Sequence, residues 1–100
     1  MQNNFRTHVQ ELNKHVNEIS ALIDLISKKQ TNYNPTIRAI NQKLADIDAL
    51  KMKIYDYIDK NLNTIETNPD YQTYQAIQKK YIDSLMKYDN FLSPPMSNQR

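Results

Sequence analysis

Glycine, cysteine and tryptophan occur nowhere in these 100 residues. Tight reverse turns, β-bulges and phosphate-cradling loops depend on glycine, which alone takes positive φ without strain. Hairpin-rich β folds and glycine-loop nucleotide folds are therefore disfavoured. The lack of cysteine removes disulfides, thiolate metal sites and a cysteine nucleophile. Long apolar runs are missing too. The longest are two or three residues, as in 21-ALI-23, so no segment is fit to span a bilayer. The opening MQNNFRTHVQ has no apolar signal core, and a cytoplasmic location is expected. Nor does one sign of charge dominate. Thirteen basic and eleven acidic side chains leave a net charge of +2, without the clustered positive charge that neutralises phosphates.

What the chain does have is periodicity. Phe5, Val9, Leu12, Val16, Ile19, Ile23 and Ile26 alternate steps of 4 and 3, an uninterrupted heptad pattern. The stretch 29-KQTNYNPT-36 breaks it. Asn34 followed by Pro35 reads as an N-cap and first helical residue. A second stripe runs through Ile37, Ile40, Leu44, Ile47, Leu50, Ile54, Ile58, Leu62 and Ile65. Then 67-TNPD-70 repeats the punctuation, because Pro69 pushes Asn68 out of the α region and cannot itself donate. The third stripe is Tyr71, Tyr74, Ile77, Tyr81, Leu85, Tyr88 and Leu92, stopped by Ser93-Pro94-Pro95.

The two Asn-Pro starts stand 34 residues apart, the period of tetratricopeptide repeats. Each unit here is one long helix rather than a helical pair, so that architecture is rejected. The expected fold class is all-α: an up-down-up three-helix bundle of long antiparallel coiled-coil-like helices. The helices are placed at about 3–30, 35–66 and 69–92, in a single domain 1–92 with a flexible tail 93–100. The alternative is a long helical hairpin with a kinked second arm, if 67–70 only bends the chain.

Four of the seven tyrosines lie within 71–91, and Tyr74, Tyr81 and Tyr88 stand seven apart. Rings at that spacing are expected to bury in the seam, with hydroxyls at its edge. Antiparallel pairing about residues 67–68 brings Asn61 near Tyr74 and Gln78 near Tyr57. Tyrosine hydroxyls are therefore expected to satisfy both amides, since an unpaired buried one costs about 1–3 kcal/mol. Lys51, at a core position, is expected to lay its stem across the bundle toward Glu18. The rival reading of the tyrosines is a base-stacking surface for nucleic acid. Lys79, Lys80 and Lys87 lie nearby, but so do Asp83 and Asp89.

His8, Glu11, His15 and Glu18 form a line along the first helix. The two histidines are about 10.5 Å apart along the axis, too far to share one ion. The Glu-x-x-His order of di-iron bundles is reversed, and side-by-side helix pairing explains the line better. No metal or other cofactor is expected. The serines lack a nucleophile-elbow setting, and Asp46/Asp48 and Asp56/Asp59 read as solvated carboxylates beside lysine. No catalytic residue is assigned, and the chain is not expected to be an enzyme. The informative residues are apolar ones outside the stripes: Ile82 and Met86 one turn apart, and Leu25, Met52 and Tyr55. These are the candidate partner-binding residues, because a contiguous exposed apolar patch marks a contact surface.

Length and helicity resemble the WXG-type hairpins of type VII secretion, but the tryptophan-glycine turn motif is missing. The stretch 68-NPDYQTYQAIQKKY-81 is faintly similar to the Asn-Pro turn and Tyr/Gln-rich helix of type III needle subunits. No family is assigned on these features. The expected function is a non-enzymatic helical interaction module: a small subunit, adaptor or chaperone that binds protein partners or itself through helix faces. The alternatives are a nucleic-acid-binding helical protein and an exported or filament-forming structural subunit.

Overall fold

The computed structural model describes residues 4–29 and 33–92. Among these the chain forms three α-helices and no strand: α1 (Asn4–Ser27), α2 (Tyr33–Lys60) and α3 (Pro69–Leu92). A short 3-10 turn, Ile65–Thr67, joins α2 to α3. The helices pack as an up-down-up three-helix bundle, and α3 lies along α1 rather than extending α2. The break at 67–70 is therefore a full reversal. The expected tail 93–100 lies outside the described residues.

α1 is the hub. All seven members of its heptad stripe are at most 2% exposed. Each such side chain contributes about 1.5–3 kcal/mol on leaving water. The stripe is this fully covered because both α2 and α3 pack closely on α1, while α2 and α3 approach each other only weakly. The molecule is accordingly elongated and flattened, 52 × 30 × 17 Å.

Helix ends depart from the expected bounds in three places. α1 stops at Ser27 rather than near residue 30. Lys28 N–H still donates to Asp24 O, at 3.0 Å, but Lys29 N–H bonds Ile26 O, at 3.1 Å, and Lys29 takes φ 59°. This is a left-handed stop made without glycine. α2 then begins at Tyr33, so Asn34 and Pro35 lie inside its first turn and Asn34 is not the cap. Proline is accepted there because first-turn N–H groups have no intrahelical acceptor.

α2 ends at Lys60, short of the expected residue 66. The Asn61 side chain donates to Tyr57 O, at 2.8 Å, while Asn61 and Thr64 N–H groups tighten into 3-10 bonds. Asn and Thr side chains compete for backbone groups in this way, so a run of them terminates helices. The second stripe breaks as a result: Leu62 is 63% exposed while Ile65 returns to the core. α3 starts where expected. Asn68 Oδ1 accepts the Asp70 N–H, at 2.8 Å, and Pro69 occupies the first helical position. Along α3 the buried positions are Tyr74, Ile77, Tyr81, Ser84 and Tyr88. Ser84 is the member absent from the apolar stripe, and Leu85 is only partly buried beside it.

Candidate interaction surface

The tyrosine ladder faces inward. Tyr74, Tyr81 and Tyr88 are buried, and burial raises the pKa of all three hydroxyls. Tyr55 of α2 lies beside Tyr74 and adds to that rise. These rings are therefore not presented for base stacking. The expected amide partners differ from the observed ones. Asn61 bonds the backbone of its own helix, Tyr57 stacks on Phe5 with ring centroids 4.3 Å apart, and Gln78 Oε1 is buried without a partner.

Lys51 is also placed differently. Its ammonium lies 5.3 Å from the centre of the Tyr81 ring and 5.7 Å from that of Tyr55, a cation–π arrangement. Glu18 is taken instead by Lys43, whose ammonium also lies 3.2 Å from His15 Nδ1. The hydrogen bond from Lys43 is the main cause of the lowered Glu18 pKa. Register explains the change of partner. Phe5 stands opposite Tyr57 and Glu18 opposite Lys43, which sets α2 along α1 about one helical turn away from the register that a Glu18–Lys51 pairing requires.

Within the His/Glu line, His15 Nδ1 lies 3.7 Å from Glu18 Oε1, a side-by-side pair of the expected kind, whereas His8 stands apart. His8 borders a cleft of about 520 Å³ between α1 and α2, with Phe5, Met52, Lys53 and Tyr57 among its walls. Its Nδ1 is buried without a partner. Among the described residues, no three histidine or acidic side chains are grouped to hold a metal ion. Ser84 donates to Ser20 at 3.0 Å across α1 and α3, a pairing of two hydroxyls.

The five candidate contact residues are all exposed: Leu25 39%, Met52 67%, Tyr55 44%, Ile82 45% and Met86 59%. They do not form one patch. Met52 borders the α1/α2 cleft, whereas Tyr55 faces the α2/α3 seam. Leu25 is near the far end of α1 from that cleft. Ile82 and Met86 stand one turn apart on the outer face of α3. Lys80 and Lys87 of the same helix reach inward to Asn17 and Asp24 of α1, so the face carrying Ile82 and Met86 is left to solvent. No helix among the described residues is long and apolar enough to cross a membrane. No protein-family model matches the chain, and neither a curated protein nor a solved structure does.

Proposed function

We propose that this chain is a non-enzymatic helical interaction module, a small subunit, adaptor or chaperone that contacts other chains through the outer face of α3. One observation carries the reading. The bundle fills its core with the heptad face of each helix, and Ile82 and Met86 remain side by side in water. A single exposed apolar side chain is ordinary. An adjoining pair that includes an adaptable methionine suits a partner contact. The inward tyrosines and the near balance of charge favour a protein partner over nucleic acid.

A photo-crosslinking side chain introduced at Met86 tests this in cells that make the protein. The expected result is one or more adducts of discrete mass that disappear with Ile82→Asp. No adduct, or adducts indifferent to Ile82→Asp, would end the reading.

A further inference from the structure

The outer face of α3 extends beyond its two apolar residues. Lys79, Ile82, Met86 and Asp89 follow one another at steps of 3, 4 and 3, and all four are exposed. That is a second heptad line, outside the one that faces the core. Its order has a property the inner line lacks. Lys79 precedes Ile82 by three residues, and Asp89 follows Met86 by three. Reading the line backwards therefore exchanges a cation for an anion and leaves the apolar centre in place.

Resting on the assignment of this face as a contact surface, we infer that its occupant is a second copy of the chain, with the two α3 helices antiparallel about a twofold axis. In that register Ile82 of one copy meets Met86 of the other, and Lys79 of each copy meets Asp89 of its mate. Such a contact is isologous: every pairing occurs twice. The parallel register is disfavoured because it sets Lys79 against Lys79 and Asp89 against Asp89.

Among the described residues, Lys79 has a loose ion pair with Asp83, at 3.8 Å with both side chains well exposed. Exposed pairs of this kind hold a lysine weakly, so it is free to turn to the mate. Two apolar side chains from each copy and two ion pairs make a small interface, and the dimer is accordingly reversible and dependent on concentration.

Sedimentation of the purified chain over a wide concentration range tests the proposal. The wild type is expected to pass from monomer to dimer. Asp89→Lys places lysine against lysine at both ends, and Lys79→Asp places aspartate against aspartate. Each should weaken the dimer about tenfold or more, because like charges now face each other. Two rescues follow, and the first is specific to the antiparallel register. The double variant Lys79→Asp with Asp89→Lys should dimerise with itself, and an equimolar mixture of the two single variants should form a heterodimer. All four positions are exposed, so these variants are expected to fold, and circular dichroism checks that they do.

A chain that stays monomeric at every concentration overturns the self-pairing, as does a dimer indifferent to the charge changes or one not rescued by the swap. Crosslinks from Met86 to a different chain, with the wild type monomeric, would overturn the self-pairing and leave the contact-surface reading standing.

Discussion

The seam between α1 and α3 and the seam between α2 and α3 are built on opposite plans. Along α1/α3 the helices run parallel and close. Small Ser20 and Ser84 meet in the middle, with Arg6–Asp70, Asn17–Lys80 and Asp24–Lys87 spaced along the edge. Along α2/α3 the backbones stay apart, and large side chains bridge the space: Tyr55 to Tyr74, Lys51 over Tyr81, and Tyr33 beside Phe91 at 6.0 Å. Side-chain size at the contact sets the separation of packed helices. One helix, α3, therefore presents a serine-centred side to α1 and a tyrosine-lined side to α2. The first side makes the bundle close, and the second leaves it flat.

Four measurements sharpen that contrast. The largest effect is expected at the hub. Ile19→Ala, in a residue with 0% exposure, should destabilise by about 4 kcal/mol, and Tyr81→Ala in the tyrosine seam by about 3 kcal/mol. Urea unfolding of the two variants gives the comparison, and a larger loss at Tyr81 would reverse the ranking of the seams.

The next effect is alkaline. Tyr74, Tyr81 and Tyr88 all have raised folded-state pKa values, chiefly from burial. In the unfolded chain they titrate near about 10. Above that pH the unfolded state sheds protons that the folded state retains, so stability present below about pH 10 is lost as pH rises. The urea midpoint should fall between about pH 9 and 11, and Tyr81→Phe should flatten the slope. A midpoint independent of pH there would mean the hydroxyls already reach water.

A smaller gain is expected at Lys29, which is held at φ 59°. Lys29→Gly should stabilise by about 0.5–1 kcal/mol, since a left-handed residue with a Cβ costs about 1–2 kcal/mol and glycine returns part of that as unfolded-state entropy. Thermal unfolding would detect it, and a loss would show that the lysine side chain contributes more than its backbone costs. The smallest effect concerns the edge of the close seam. Asp24 and Lys87 are 44% and 55% exposed, so Asp24→Asn should cost under about 1 kcal/mol and less at high salt. A larger, salt-resistant loss would show that charge rather than side-chain size closes α1 on α3.

How far each feature was legible depended on how local its cause is. The α1 stripe was complete in the sequence because a heptad needs only consecutive residues on one helix. Asn68-Pro69 marked the start of α3 for the same reason. The early end of α2 also had a local signal, the run Asn61-Leu62-Asn63-Thr64, but the apolar residues Leu62 and Ile65 kept the period going past it. Ser84 follows Ile77 by seven residues and Tyr81 by three, so it stood in phase with the inner line. Its hydroxyl carries no apolar mark, and its burial came from the close approach of Ser20. Of the candidate surface, Ile82 and Met86 followed from phase alone. That Leu25, Met52 and Tyr55 point to separate regions did not, because it depends on which neighbour each helix turns toward.

From the order of its residues alone, this protein is committed to amphipathic rods with tyrosine on one inner face and no cysteine or glycine chemistry. Those properties arise between residues a turn apart. The three-dimensional packing decided which rod lies between the other two, which carboxylate Lys43 holds, and where Lys51 rests. Each of these depends on the rotation and offset of one helix against another. Both are set where α1 stops at Ser27 and α2 stops at Lys60, and by the size of the side chains that meet far along the chain.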